Sequence, residues 1–411
     1  MRHVTVYGAG ALALLVLTAC SSDPKAGPTR QDATIWINPV DGAVAVRPDL
    51  PIQVGTVDGT LKDVRIETGG QPLSGTLSAD RTRWRSERPM TPGRTYKVIV
   101  AAVGASGKTT RRTSSFSTVA ATQTFKIASI LPNKDETGLT VGVGMPVMIT
   151  FDRAITDRVS VERNLQVLAS KPVVGAWHWF DDKTVDFRPK RFWPANTKVK
   201  VTARLTGVSG GAGMYGLKDY SREFQVGRSQ ISTANTQTHM MEIQRDGEVI
   251  KDVPISAGRG GEWKYYTTNG IHLAMAREAV TVMTSPGIGP GEAGYYQETV
   301  YDTVRISNTG EYVHAAPWSV GSQGSDNVSH GCINISPENA KWFIDNTLIG
   351  DPVIVTGSPR QLEPANGWGH WQEPWKTWLR WSALRTPMIT EKLPGSVGQA
   401  TDIAVKDPAH S

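Results

Sequence analysis

The sequence predicts a mainly β protein built from several domains, and three observations carry that expectation. The chain has 411 residues, more than one ordinary hydrophobic core organises, so about three domains are expected. It contains 41 glycines and 25 prolines, a composition that favours turn-rich strands over long helices. Short runs also alternate with period two: Tyr96, Val98 and Val100 share one face, as do Val199, Val201, Ala203 and Leu205.

The N-terminus, "MRHVTVYGAGALALLVLTACSS", has a basic residue at Arg2, then an apolar run from Val4 to Leu17 too short to span a bilayer comfortably, then small residues. It reads as an export signal. "LTAC" resembles the lipobox of bacterial lipoproteins, which implies that residues 1–20 form a lipoprotein signal and that Cys20 becomes the lipidated first residue. A plain secretory peptide cut near Ala19 and an uncleaved anchor are the alternatives. Residues 21–33, polar and proline-containing, read as a flexible tether. The expected location is the outer face of the cytoplasmic membrane, lipid-anchored and facing the cell wall. A net charge of +6 suits anionic surroundings such as headgroups or wall. The basic residues are dispersed except in "RTRWRSER", which together with export argues against nucleic acid as a partner.

Two stretches then match each other at an offset of 102 residues. "DRTRWRSERPMTPGRTYKVIV" from Asp80 and "DKTVDFRPKRFWPANTKVKV" from Asp182 pair Thr82 with Thr184, Pro92 with Pro194 and Thr95 with Thr197. A repeat of that length is the size of an immunoglobulin-like sandwich, so tandem sandwiches are expected at 34–121 and 122–228. Neither carries a plausible catalytic cluster, which leaves spacing and packing as their roles.

A third domain is expected over 229–357. "MMEIQRDGEVIKDVPI" reads as two strands about an Asp246-Gly247 turn. "SPENAKWFIDNTL" reads as a helix, with Ser336 as N-cap, Pro337 at the first helical position and Glu338 complementing the dipole. "MTSPGIGPGEAGYY", from Met283 to Tyr296, is either a surface loop or a substrate flap. Beyond it lie five tryptophans, Trp368, Trp371, Trp375, Trp378 and Trp381. Glycan stacking is one reading of them; packing of a C-terminal extension, 358–386, against the catalytic domain is the better one, because such stripes usually bury. Residues 387–411 read as a disordered tail.

The chemistry concentrates in "EYVHAAPWSVGSQGSDNVSHGCINIS". His314, His330 and Cys332 fall within 19 residues, and Cys332 is the only cysteine after Cys20. A thiol without a disulfide partner outside the cytoplasm is a liability unless it reacts. A cysteine nucleophile needs a base and a preorganised donor pair for the oxyanion. His314 can supply the base, and the amides of Gly331 and Cys332 the donors, since a glycine lets the backbone approach substrate. Zinc is the rival for a His/Cys group, but no C-x₂-C spacing and no H-E-x-x-H occurs, so neither a metal nor another cofactor is expected.

His314, fourteen intervening residues and then "SHGCIN" are similar to the signature of the L,D-transpeptidase (YkuD) catalytic domain. "HAAPWSVGSQG", "RPKRFWPANT" and "GWGHWQEPWKTW" extend the resemblance, to the mycobacterial enzymes of that family, over nearly the whole chain from Cys20. The resemblance implies a peptidoglycan enzyme in which Cys332 attacks the diaminopimelate–D-alanine bond of a tetrapeptide stem. D-Alanine leaves, a thioester forms, and the amine of a neighbouring stem resolves it into a 3→3 cross-link. It further implies His314 as base, the third triad member at Ala315 through its main-chain carbonyl, and an oxyanion role for His330, although an exchange of roles between the two histidines stays open. Substrate contacts carried over are Met283, Tyr296, Trp318, Ser329 and Asn334. Carbapenems are implied as inhibitors acylating the same thiol. Relatives often carry serine where this chain has Ala315, and a flap tyrosine near Ile288. The rival readings are an L,D-carboxypeptidase and a non-catalytic wall-binding lipoprotein.

Overall fold

The structure, a computed structural model, describes residues 31–69, 73–285, 288–292 and 295–394. The signal segment, Cys20 and most of the tether lie outside the described residues, as does the tail from 395 onward. Among the described residues no helix is long and apolar enough to cross a membrane.

The first core gathers Ile35, Ile52, Val54, Trp84, Tyr96, Val98 and Phe116. It lies between a four-stranded sheet, ordered Thr34–Asn38, Gln53–Val57, Arg83–Ser86, Gly75–Leu77, and a three-stranded one, Gly59–Thr68, Thr95–Gly104, Thr109–Ser117. The second core, with Ile149, Phe151, Trp177, Trp179, Phe187, Trp193, Val199 and Val201, lies between two five-stranded sheets. The repeat seen in sequence falls on equivalent elements: Arg83–Ser86 corresponds to Thr184–Pro189, and Thr95–Gly104 to Lys198–Ala203. Each sandwich follows from the alternation along its strands, which puts every second side chain into the space between the sheets.

In the third domain one sheet orders Glu248–Pro254, Met240–Arg245, Gln230–Asn235, Pro352–Thr356 and Gly270–Leu273. The other orders Ala276–Thr284, Gln297–Arg305, Tyr312–Ala315 and Ile333–Ile335. The Asp246-Gly247 hairpin forms as expected, both residues having positive φ, 52° and 93°, as a primed turn requires. The helix runs Pro337–Asn346, and the Ser336 side chain accepts from the Asn339 amide at 3.2 Å. It packs on the second sheet, fixing the strand that follows Cys332.

Two expectations for the C-terminus are corrected. The tryptophan-rich extension does not pack chiefly on the catalytic domain; it embraces the second sandwich. Trp378 is fully buried and donates to the Ala176 carbonyl at 3.0 Å, and Trp371 donates to Gly144 at 2.9 Å. Trp371, Trp375 and Trp378 surround the Arg188 guanidinium, their ring centroids 4.8, 5.3 and 4.7 Å from it, and burial lowers that group to about 10. His370 Nε2 meets Asp186 at 2.7 Å, and buried Glu162 accepts from Trp179, Ser382 and Ala383. The tail expected to be disordered from 387 instead begins with strands Met388–Ile389 and Glu391–Lys392, one added to each sheet of this sandwich. A tryptophan stripe announces burial; only the three-dimensional arrangement shows which surface receives it.

The second sandwich is locked to the catalytic domain. The Gly142 amide donates to Ile349 at 2.7 Å and Gly144 to Gly350 at 3.0 Å. A Cβ at Gly142 would stand 2.2 Å from the Asp351 nitrogen, so the two backbones meet only because no side chain intervenes. Arg228 forks onto Asp351 at 3.1 and 2.9 Å. Trp378→Ala, which empties the clasp's centre, is expected to destabilise the second sandwich by about 3–5 kcal/mol. Denaturant unfolding checks this, and a shift below about 1 kcal/mol contradicts a load on that side chain.

Candidate active site

The strands Tyr312–Ala315 and Ile333–Ile335 run parallel, with Val313 opposite Ile333 and His314 opposite Asn334. Val313, Ala315, Ile333 and Ile335 face the core, so alternation turns Tyr312, His314, Cys332 and Asn334 to the other face. Nucleophile and base candidates, eighteen positions apart in sequence, thus share one face, His314 within its strand and Cys332 just ahead of the neighbouring one.

His314 is buried, and its Nδ1 lies 2.9 Å from the Ala315 carbonyl oxygen. A carbonyl only accepts, so Nδ1 carries the proton and Nε2 keeps its lone pair. At position 315 it is thus the main-chain carbonyl that holds the ring nitrogen. Burial lowers the His314 pKa, opposed by the Ala315 carbonyl and the Asn334 side chain, so the ring is neutral near pH 7. Trp318, half exposed, sits 6.0 Å from the imidazole, centroid to centroid.

Cys332 is free and only partly exposed, its Sγ 3.6 Å from the Gly310 carbonyl. Burial pushes the thiol up to about 12; a contact with the Tyr312 backbone opposes this, and Glu311 and Glu298 add to it. At rest Cys332 is therefore a neutral thiol and His314 a neutral imidazole. A thiol raised this far bears a thiolate fraction that grows tenfold per pH unit throughout the neutral range. Iodoacetamide alkylation of Cys332 is accordingly expected to rise without levelling off from pH 6.5 to 9. A plateau near neutrality, as a preformed thiolate–imidazolium pair gives, contradicts the assignment; mass spectrometry of the modified peptide reads the rate.

His330 does not compete for the base role. Its Nε2 faces an Arg259 guanidinium nitrogen at 2.8 Å, and since guanidinium only donates, the His330 lone pair is occupied. Tyr296 stacks on the ring at 4.9 Å and Tyr265 meets it edge-on at 5.3 Å. Burial, with Arg259 assisting, lowers its pKa, so the ring is a neutral wall of the site.

The loop ahead of Cys332 is braced from within. Gly331 has φ of +138°, which favours glycine. Its amide donates to Ser329 Oγ at 3.0 Å, Ser329 Oγ donates to the Cys332 carbonyl at 2.6 Å, and Thr267 Oγ1 donates to the Gly331 carbonyl at 2.8 Å. Two expectations change as a result. The Gly331 N–H is already engaged, which leaves the Cys332 amide as the oxyanion donor of that pair. Ser329 and Asn334, expected to touch substrate, are buried: Ser329 ties the loop together, and Asn334 donates to Ser319 at 3.2 Å and contacts His314. Tyr296 and Trp318 do face the site. Met283 lies on the strand Ala276–Thr284 opposite Glu298.

The Met283–Tyr296 segment continues the hairpin of Ala276–Thr284 and Gln297–Arg305, with Tyr296 bonded to Ser285 at its base. Residues 286–287 and 293–294 of it lie outside the described residues. Glu292 accepts from the Gly289 amide at 3.0 Å. Sequence reasoning missed Arg259, Tyr265, Thr267 and Glu311. Glu311 is buried and accepts from the Thr268 amide and hydroxyl at 2.7 and 2.6 Å.

The L,D-transpeptidase catalytic domain family (YkuD) matches residues 229–355, and the bacterial Ig domain family (Big_10) matches 43–209, across both sandwiches. The chain is 38% identical to L,D-transpeptidase 5 of Mycobacterium tuberculosis, over 93% of this chain and 85% of that protein. It is 36% identical to L,D-transpeptidase 2 of the same species, over 82% of each. A solved LD transpeptidase in complex with imipenem is 37% identical, with a TM-score of 0.48, covering 56% of this chain and 98% of that one. A buried His314 held on a carbonyl beside the thiol of "SHGCIN", in a domain that matches along its whole length and behind Ig-like domains, places this chain in the L,D-transpeptidase family.

Proposed function

We propose that the chain forms 3→3 cross-links in peptidoglycan through a thioester on Cys332. The observation that carries this reading is the His314 tautomer: Nδ1 is fixed on the Ala315 carbonyl, so Nε2 is the lone pair available to a thiol on the neighbouring strand. His314 takes the Sγ proton as sulfur attacks the carbonyl between diaminopimelate and D-alanine. The Cys332 amide steadies the oxyanion. The tetrahedral adduct collapses, the proton passes to the departing amine, and D-alanine leaves with the acyl group held on sulfur. The side-chain amine of a second diaminopimelate then attacks the thioester, giving up a proton as the amide forms and the thiol is restored. Carbapenems, strained acyl donors, are expected to acylate the same sulfur.

The export signal and "LTAC" support a lipid anchor at Cys20 and a location outside the cytoplasmic membrane, with the two sandwiches carrying the catalytic domain toward the wall. Incubation with a disaccharide tetrapeptide tests the proposal. A dimer joined diaminopimelate to diaminopimelate, with release of D-alanine, is expected. Free tripeptide alone means that water resolves the thioester and makes the protein an L,D-carboxypeptidase; no turnover of any tetrapeptide favours a non-catalytic wall-binding role.

A further inference from the structure

The first sandwich carries an aromatic platform far in sequence from the thiol, on the outer face of its four-stranded sheet. Trp36 is 38% exposed in the middle of the strand Thr34–Asn38. Opposite it, across the strand pair, stands Gly55, and a Cβ there would lie 2.3 Å from the indole atoms Cε2 and Cζ2. The ring therefore lies down over the glycine and fills the place of the missing side chain, one face on the sheet and the other outward. An exposed tryptophan standing upright would be unremarkable on any surface. One laid flat by a glycine on a sheet is a preformed platform.

The flanking residues give the platform its chemistry. Gly55 pairs on its other side with Arg83, so Trp36, Gly55 and Arg83 form one row across three strands. The next row on the same face holds Asn38, Gln53 and Arg85. Arg83 and Arg85 are exposed, and among the described residues neither enters an ion pair. Arg85 also lines a cleft of 340 Å³ between the two sandwiches, together with Arg163 and with Arg88, whose guanidinium is paired with Asp219. Of the acids of that cleft Asp49 is paired with Arg47, while exposed Glu87 accepts from the Ser74 and Thr76 hydroxyls and keeps its charge. Arg83 and Arg85, without an ion pair among the described residues, thus run from the indole to the mouth of the cleft.

We propose that this face binds an anionic saccharide. A pyranose presents a flat C–H face that an indole covers without directional bonds, and its hydroxyls suit the amides of Asn38 and Gln53. A carboxylate or phosphate on the sugar meets the planar guanidinium forks of Arg83 and Arg85. A flat apolar protein partner would leave both arginines without counter-charges, and a nucleic acid does not match an exported chain. The sugar acid and the sugar phosphate share this chemistry, and the test separates them. Such a site would hold the chain on a glycan while the catalytic domain works on the peptides it carries, a role distinct from the thiol chemistry.

Calorimetric titration of the Cys332→Ala chain, which binds without turnover, tests the proposal. The probes are a peptide-free N-acetylglucosamine–N-acetylmuramic acid oligosaccharide, a phosphate-bearing polysaccharide and a neutral chito-oligosaccharide of equal length. At least one charged probe is expected to bind about fivefold or more tighter than the neutral one, and which one identifies the source. Trp36→Ala is expected to weaken that binding about tenfold and Trp36→Phe to restore most of it. Arg83→Gln with Arg85→Gln is expected to reduce the charged probe to the level of the neutral one. Each substitution placed in a chain with Cys332 intact should keep the wild-type rate of acylation by a carbapenem, which shows that the catalytic domain is folded whatever the saccharide result. Equal binding by Trp36→Ala, equal affinity for charged and neutral probes, or no binding of any probe overturns the proposal and leaves the thioester reading untouched.

Discussion

Cys332→Ser is expected to lose cross-linking activity by about a thousandfold or more. The reason lies in the environment of the sulfur. Burial and the nearby Glu311 and Glu298 already push the thiol up to about 12, so in the proposed mechanism attack requires proton transfer to His314 in the same step. A serine hydroxyl in that place is a far weaker acid facing the same desolvation and the same two carboxylates, and no cationic side chain compensates. The fold should survive, because the thiol touches only backbone, at Gly310 and Tyr312, with contacts that a hydroxyl can also make. Circular dichroism and an unfolding curve alongside the assay check that point. Activity within tenfold of wild type would remove Cys332 from the nucleophile role.

The second large effect is expected at His314. His314→Gln should slow acylation about a hundredfold or more, measured as the pre-steady-state rate of carbapenem addition. Glutamine fills similar space and can still donate to the Ala315 carbonyl, but it offers no basic lone pair to the thiol. The pH profile supplies a readout that a merely structural role would not move. In the wild type, acylation is lost as pH falls through the lowered His314 pKa, because the protonated ring cannot accept a proton. It holds its level upward through neutrality. The His314→Gln chain should lack that acid limb. His330→Gln, whose lone pair is taken by Arg259, should keep the limb. A rate for His314→Gln within a few-fold of wild type would return the base role to His330.

Much of the fold was legible because it rests on local rules. Alternation at Tyr96–Val100 and Val199–Ala203, the Asp246-Gly247 turn and the Ser336 cap each depend on a few adjacent residues, and each forms as read. The hand of the C-terminal clasp was not legible: five tryptophans state that a surface must be covered, while the cover is chosen by Ala176, Arg188 and Glu162, about 200 residues away. The same limit applies in the site. Cys332, His314 and the Ala315 carbonyl lie within one window, so their relation could be read from spacing and resemblance. The engagement of the Gly331 amide by Ser329, the occupation of His330 by Arg259 and the anchoring of Gly331 by Thr267 depend on loops that sequence does not align with "SHGCIN". Ser329 and Asn334 show the consequence: residues that sequence places beside the nucleophile prove to be its internal supports.

The central claim, that Cys332 carries the acyl group, is tested most directly by quenching the reaction with a disaccharide tetrapeptide in acid within the first turnover and weighing the intact protein. The account predicts one added mass equal to the donor stem less D-alanine, located on the peptide containing "SHGCIN", absent from Cys332→Ser and discharged when an acceptor stem is supplied. Cross-linked product formed while the protein never gains mass, or an adduct on any other residue, would contradict it.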